Sequence, residues 1–179
     1  MNENFIIREE HVSTLRNAFE QIGTTIMELR HVAKNMIPVT LHTNGISDAI
    51  KTHCESIKTS SKIAVNYSFS GANNRLDLGF ELTVFRMAKE LIGNSIKHSF
   101  ATSINVRLTL SKEILHLSVS DNGLGFDVTQ LSQSEGRGIA NIRLRTAALN
   151  GKFKIKSDIC SGTSVSVEFS NPLNITSRD

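Results

Sequence analysis

The sequence has few cysteines, no long apolar run and no cluster of like charges. Its two cysteines, Cys54 and Cys160, lack the spacing of a metal site, so idle or buried thiols in a reducing compartment are expected. No stretch approaches the roughly 20 apolar residues of a membrane span, and residues 1–11 lack the apolar core of a signal peptide. These absences predict a cytoplasmic chain without a membrane segment. If the parent protein is membrane-anchored, we expect the anchor outside this chain.

The composition is that of an ordinary globular domain. Hydrophobic residues make up 39% of the 179 residues and charged residues 21%, which is enough apolar material for one core. The 20 lysines and arginines are spread along the chain without a run, and the net charge is only +3. This pattern argues against nucleic acid as a partner.

Apolar residues recur at alternating spacings of three and four in the first part of the chain. They predict a long N-terminal helix with the seam of a coiled coil or helical bundle, ended by Pro38. A helix with such a seam cannot bury it alone, so a homodimer through this helix is expected, the alternative being packing on its own domain. The seam residues are Val12, Leu15, Phe19, Ile22, Ile26, Leu29, Ala33 and Met36.

Beyond residue 45 the apolar period switches between helix and strand. Helices are predicted after an N-cap at Ser47, over 77–99, and over 139–149 with Gly151 as a left-handed cap. Alternation predicts strands over 62–70, 104–110, 115–119, 152–157 and 163–169, the second and third forming a hairpin. This order predicts an α/β fold, a two-layer α/β sandwich with helices on one face of the sheet.

A first polar cluster lies late in the predicted 77–99 helix. Glu90, Asn94, Lys97 and His98 fall at i, i+4, i+7 and i+8 and share one helical face. An Asn carbonyl oxygen suits Mg²⁺, which takes few protein ligands, and a lysine one turn later can reach phosphates. A solvated helix face would show the same pattern, so the cluster is weak by itself.

A second cluster, Asp121–Phe126, follows the predicted hairpin. Gly123 and Gly125 allow the backbone to approach a flat ligand closely. A carboxylate at the end of a strand accepts a hydrogen bond from an amine such as the adenine amino group. An ordinary turn also explains these residues.

A third cluster, Glu135–Asn141, opens a helix with Gly136 and Gly138. Exposed N–H groups at a helix start bind phosphate. The Rossmann fingerprint is not met, because a polar loop rather than a strand precedes these glycines, and no Walker A loop is present.

In their order and spacing these clusters resemble the N, G1 and G2 boxes of the GHKL ATP-binding family, and Ser161–Thr163 resembles its closing Gly-Thr element. The resemblance covers roughly residues 60–170. It implies the Bergerat ATP-binding fold, with a mixed, mostly antiparallel sheet. It also implies that ATP and Mg²⁺ are bound.

The resemblance gives each matched residue a role. Asn94 is expected on Mg²⁺, with Glu90 orienting water or the ion, and Asp121 is expected to hold the adenine amino group. Thr163 is expected to help close the adenine end. The residues expected near the phosphates or their lid are Lys97, His98, Gly136 and Gly138, and those allowing close backbone approach are Gly123 and Gly125.

Finer features are similar to the histidine kinases of the nitrate-sensor and desaturase-thermosensor type. These features are the Lys97-His98 pair, the short loop before the third cluster, and the helix from Ile142. The similarity implies an ATP-dependent protein-histidine kinase of a two-component system, with a LuxR-type response regulator as partner. Residues 28–50 resemble the end of the second dimerisation helix in that group.

The chain departs from this pattern at the phosphoacceptor. Kinases of this type phosphorylate a histidine that is followed by an acidic residue, and none of the six histidines precedes Asp or Glu. We therefore expect the acceptor in a longer protein of which this chain is part. Arg137 replaces a more usual apolar residue, which bears on closure of the lid.

The expected domains are a dimerisation-helix and linker region over 1–45, an ATP-binding domain over 46–172 and a frayed tail over 173–179. Three rival functions remain open. A serine kinase of the anti-sigma type would not need the long N-terminal helix. An ATP-gated machine of the gyrase, MutL or Hsp90 type needs a second domain, for which 179 residues leave no room. A dimerisation module with a dead pocket is disfavoured by the intact Asn94 and Asp121.

Overall fold

The computed structural model describes residues 15–25, 38–72, 74–128 and 137–175. The chain divides into two compact units, Met1–Ile37 and Pro38–Asp179. In the first unit residues 15–25 are helical, and Leu15, Phe19 and Ile22 are 54%, 71% and 55% exposed. The remaining members of the predicted seam lie outside the described residues. The long N-terminal helix therefore stays a prediction.

The second unit is built from four α-helices and five strands among its described residues. The helices are α1 (Val39–Asn44), α2 (Ile46–Ser60), α3 (Leu78–His98) and α4 (Arg137–Ala148). The strands are β1 (Ala64–Gly71), β2 (Ser103–Leu110), β3 (Ile114–Asp121), β4 (Lys152–Ser157) and β5 (Thr163–Ser170). A single 3₁₀ turn, Pro172–Asn174, follows β5.

The strands form one mixed sheet in the order β1-β2-β3-β5-β4. β1 and β2 are parallel, joined by the α3 crossover, and the other three pairs are antiparallel. Side chains alternate along each strand, and the buried set faces α2 and α3 in a common core. Phe80 of α3 and Phe169 of β5 meet edge to face in that core, with ring centroids 5.2 Å apart. The predicted two-layer α/β fold with a mostly antiparallel sheet is confirmed.

The start of α2 differs from the prediction. The helix begins at Ile46 with Gly45 as N-cap, because Ser47 is buried and its hydroxyl lies 3.1 Å from the Tyr67 hydroxyl on β1. The Ser47 side chain, which was predicted to cap the helix, thus makes a tertiary hydrogen bond instead. The short helix α1, with Leu41 fully buried, was not predicted.

An ion pair between the partly exposed Arg75 and the buried Glu81 attaches α1 to the rest of the unit. The Arg75 guanidinium donates to both carboxylate oxygens of Glu81, at 3.1 and 3.4 Å, and to the carbonyl oxygens of His42 and Leu41 at the end of α1. Glu81 is 0% exposed and also accepts the Leu76 N–H at 3.1 Å. A buried carboxylate needs such partners to avoid a large desolvation cost.

The cap after α4 also differs from the prediction. Asn150, with φ of 53°, takes the left-handed position, which Asn tolerates better than most residues. Gly151 is required for a different reason, because a Cβ there would lie 2.5 Å from the Phe169 ring. Of the tail predicted to fray, Leu173–Ile175 are described, and Ile175 packs against the core.

The described helices include none with both the length and the apolar character of a bilayer span.

The two thiols are expected to differ in reactivity. Cys54 is buried, and burial, with a smaller contribution from Glu55, raises the pKa of its thiol to about 11. Cys160 is exposed. Since the thiolate is the nucleophile, an aromatic disulfide reagent at mildly alkaline pH should modify Cys160 and reach Cys54 only on unfolding. Fast modification of a Cys160→Ser variant would contradict the burial of Cys54.

Candidate functional site

The ends of several elements enclose a cavity of about 530 Å³, a size typical of small-ligand sites. The last two turns of α3 form one wall, and the start of α4 lies across it. The last residues of β3 and the first residues of β5 form the floor. The apolar part of the lining comes from Leu91, Val119, Phe126, Ile139 and Val165.

The polar face predicted on α3 lines this cavity. Asp77 starts the helix by accepting the Phe80 N–H at 2.9 Å, as an N-cap does, and the opposite face is fixed in the core. The helical repeat then turns one set of polar side chains towards the cavity. The set consists of Glu90, Asn94, Lys97 and His98.

The Asp121 carboxylate is held rigidly at the end of β3. Its Oδ2 accepts the Ser95 hydroxyl at 2.7 Å, and its Oδ1 accepts the backbone N–H groups of Gly123 at 3.0 Å and Thr163 at 3.3 Å. A carboxylate offers about four acceptor sites. Three are filled by the protein, so the group retains capacity for one donor from a ligand in the cavity.

Three glycines shape the turn behind Asp121 by permitting close backbone contacts. Gly125 has φ of 61°, and a Cβ there would lie 2.0 Å from the Asp158 carbonyl oxygen. At Gly162, with φ of 74°, it would lie 2.1 Å from the Asp121 carbonyl oxygen, and at Gly123 2.2 Å from that of Ser99. Gly125 lines the cavity and Gly123 does not. The ligand contact expected for Gly123 therefore stays a prediction.

Gly125→Ala is expected to destabilise the fold by more than about 1 kcal/mol, because the added Cβ meets backbone and the left-handed φ becomes strained. Gly93→Ala is the matched control, since Gly93 lies within α3 and a Cβ there meets nothing within 4 Å. That change should stabilise by about 0.5–1 kcal/mol through helix propensity. Urea unfolding measures both, and equal effects would refute the close approach at Gly125.

Hydroxyl groups join the end of β4 to the start of β5 beside the cavity floor. The Ser157 and Thr163 hydroxyls lie 2.9 Å apart, and Ser157 Oγ also accepts the Phe126 N–H at 2.9 Å. Thr163 and Phe126 both line the cavity. Thr163 thus lies at the cavity floor, where its backbone N–H donates to Asp121, and its expected part in closing the adenine end stays a prediction.

The first turn of α4 packs directly on the polar face of α3. A Cβ at Gly138 would lie 2.1 Å from Glu90 Oε1 and 3.2 Å from Asn94 Nδ2, so the absence of a side chain brings these groups together. Gly136 lies outside the described residues.

The sequence predictions missed two residues that position the site. Ser95 orients Asp121, and Ser157 bridges the Gly125 turn to Thr163. Ser95 lies within the first predicted cluster, next to Asn94, which was a usable signal. Ser157 at the end of β4 gave none.

Comparison with known families identifies the fold. Residues 79–173 match the family of "Histidine kinase-, DNA gyrase B-, and HSP90-like ATPase" domains. The histidine kinase domain of the Erythrobacter litoralis EL346 blue-light activated histidine kinase superposes with a TM-score of 0.57 at 19% identity, covering 72% of this chain and 61% of that chain. The mycobacterial sensor histidine kinase MprB gives a TM-score of 0.54 at 15% identity, over 72% of this chain and 95% of that chain. At these identities the two structures show the fold alone.

Curated relatives match a larger share of this chain than residues 79–173, which the family match covers. The signal transduction histidine-protein kinase/phosphatase DegS of Brevibacillus brevis is 23% identical over 88% of this chain and 40% of its own length. DegS of Bacillus subtilis is 30% identical over 60% of this chain and 29% of its own length. The oxygen sensor histidine kinase NreB of Staphylococcus carnosus is 27% identical over 80% of this chain and 41% of its own length. The chain therefore spans less than half the length of these relatives.

The family match covers more than half of the chain and includes every element that lines the cavity. The chain belongs to the histidine kinase-, DNA gyrase B- and HSP90-like ATPases.

Proposed function

We propose that this chain is the ATP-binding catalytic portion of a two-component sensor histidine kinase. The observation that carries the proposal is the Asp121 carboxylate, fixed by three donors at the floor of a cavity whose wall carries Asn94 and Lys97. Relatives that are histidine kinases match 80% and 88% of the chain. Their match extends well beyond the ATPase region at 79–173, which favours a kinase over other members of the family.

The residues of the cavity fit an adenine nucleotide. Asp121 has acceptor capacity for the adenine amino group, with Gly125 and Gly123 behind it and Thr163 closing that end. The apolar residues Val119 and Val165 offer surface for a purine ring. Lys97 and His98 lie on the wall where we place the phosphates, with Gly138 and the neighbouring Gly136 at the lid.

Magnesium is proposed as the accompanying ion. Within the described ranges no group of three or more His, Cys, Asp or Glu side chains is placed to hold a metal. Mg²⁺ bound to a nucleotide needs only one or two protein ligands, because phosphates and water fill the rest of its shell. Asn94 would supply the protein ligand, and Glu90 would orient water or the ion. The bound ion would neutralise phosphate charge during transfer.

The proposed reaction moves the γ-phosphoryl group of ATP to a histidine nitrogen. The acceptor histidine is proposed to lie in the remainder of a longer protein, since no histidine here precedes an acidic residue. The phosphoryl group would pass to an aspartate of a LuxR-type response regulator. Because ATP is the substrate, a cytoplasmic location is proposed for this domain.

A homodimer through the N-terminal helix is the proposed assembly. Phe19→Asp combined with Ile22→Asp is expected to convert a dimer into a monomer in sedimentation experiments, because charges would replace two exposed apolar side chains of the seam. Arg16→Asp with Glu20→Ala, off the seam, is the control. A wild-type chain that is already monomeric at high concentration would refute the seam.

Calorimetric titration tests the nucleotide site directly. ADP and a non-hydrolysable ATP analogue, each with and without Mg²⁺, should bind with affinity that depends on the ion, and GTP should bind much more weakly. Transfer of labelled γ-phosphate should then appear only in a longer protein that contains the acceptor. Absence of ADP binding would refute the nucleotide site, whereas binding without transfer in the longer protein would refute the kinase and keep the site.

A further inference from the structure

The face of the sheet opposite the helices carries an organised set of polar side chains. We call it the outer face. It consists of three cross-strand rows, each running through β2, β3, β5 and β4. By strand register these rows are Asn105-Ser120-Ser164-Lys156, Arg107-Ser118-Ser166-Lys154 and Thr109-His116-Glu168-Lys152.

Small hydroxyl side chains occupy the centre of the outer face. Ser118 pairs with Ser166 and Ser120 with Ser164 across β3 and β5, and all four are only partly exposed. These side chains are short, so the centre of the face lies below the level of the longer side chains around it. Each hydroxyl can both donate and accept a hydrogen bond. The centre of the face is therefore a shallow hydroxyl-lined floor.

Basic side chains flank this floor on both sides. Arg107 lies on β2, and Lys154 and Lys156 lie on β4. Three strand spacings of about 4.8 Å separate β2 from β4, so the strands that carry these cations lie about 14 Å apart. All three are exposed, and among the described residues no carboxylate forms an ion pair with them. The outer face has one carboxylate, Glu168, whose Oε1 forms an ion pair with Lys152 Nζ at 3.0 Å.

We propose that the outer face is a docking surface for an acidic segment of a partner protein. Opposite charge would engage both basic flanks, and the hydroxyl floor would satisfy the polar groups of a polypeptide lying between them. The three rows contain no Phe, Tyr or Trp side chain on which nucleic acid bases could stack, and His116 carries their one aromatic ring. They also contain no large apolar side chain to enter a bilayer. An acidic polypeptide is therefore the occupant that fits the chemistry of the face.

Exposed lysines on an edge strand also discourage pairing between sheets, and that role requires no partner. The two explanations differ in one respect. A protective role needs lysines on β4 alone, whereas docking needs the cation on β2 as well. Arg107 lies three strand positions from the open edge at β4, with β3 and β5 between them, and β1 covers the other side of its strand, so edge protection does not account for it.

The test uses a fluorescent poly-glutamate peptide as the probe and two triple variants of the chain. The first replaces Arg107, Lys154 and Lys156 by serine. The second, the control, replaces Lys51, Lys58 and Lys62, which are exposed on or just after α2. Both variants lose three positive charges, so general electrostatic attraction falls equally in the two.

The wild type should bind the peptide, and the control variant should bind it almost as well. The outer-face variant should bind the peptide about tenfold more weakly, because it loses three exposed ion pairs with the peptide. Absence of peptide binding, or equal losses in the two variants, would overturn the proposal. Tighter binding to phosphatidylserine vesicles or to single-stranded DNA than to the peptide would overturn it as well. ADP binding should be unchanged in both variants, because the cavity lies on the helical side of the sheet, so this result is separable from the fate of the nucleotide site.

Discussion

Replacement of Asp121 by asparagine should lower the affinity for ADP by about a hundredfold, the effect of losing a hydrogen bond to a charged group. The carboxylate accepts from Ser95, Gly123 and Thr163 at once. An amide has one acceptor oxygen, so its NH₂ group would face either these donors or the adenine amine. In either arrangement two hydrogen-bond donors face each other without an acceptor between them.

Asp158→Asn is the matched control, because it also neutralises a carboxylate in a neighbouring loop, but one that is exposed and does not line the cavity. Calorimetry with ADP measures affinity, and thermal unfolding without nucleotide confirms that both variants are folded. An Asp121→Asn protein with wild-type affinity would refute the pocket assignment. An equal loss of affinity in both variants would show that the effect comes from the change in net charge and not from a specific role of Asp121.

Arg75→Gln is expected to reduce the free energy of unfolding by about 3 kcal/mol, the lower end of the range for breaking a buried ion pair, because Arg75 itself is partly exposed. The variant leaves the Glu81 carboxylate, which is 0% exposed, with one backbone donor in place of a guanidinium. It also removes the donors to the carbonyl oxygens at the end of α1. Urea unfolding followed by circular dichroism measures the change.

Two further variants separate charge from geometry at this pair. Lys152→Gln breaks the exposed pair with Glu168 and should leave the urea midpoint almost unchanged, since exposed pairs contribute little. Arg75→Lys keeps the charge but lacks the planar fork that reaches Glu81 and α1 together, so it should recover only part of the loss. Full stability of Arg75→Gln would show that the Glu81 carboxylate has other partners.

The sheet could be predicted from the sequence because its information is local. Alternation of apolar residues marks each strand, and the short link between β2 and β3 fixes their pairing as a hairpin. The start of α2 and the cap of α4 could not be predicted, since each depends on a distant contact. Ser47 bonds to Tyr67, and Gly151 makes room for Phe169. Neither partner can be identified by helical periodicity.

The site was predictable to the extent that it is carried by short motifs. The helical face from Glu90 to His98 and the turn at Asp121 were found because their chemistry lies within one turn or one strand end. The residues that hold these motifs in place were not predicted. Ser157 lies 31 residues from Phe126, whose N–H it accepts, and the Arg75–Glu81 pair draws in α1 from more than 30 residues away. Such support depends on tertiary proximity.

The single parallel pair has a consequence for the order of folding. β2–β3 and β4–β5 can close as hairpins over short links, whereas β1 reaches β2 only after the α3 crossover, pairing Ala64 with Ser103. Closing the longer loop costs more chain entropy before any contact rewards it. We therefore expect the two hairpins to form first, and the β1–β2 and β3–β5 pairs to form later, since Asp121 and Thr163 are also far apart in sequence. β1 is an edge strand with one partner, so its amides should exchange with solvent through a lower-energy opening than those of the central β3.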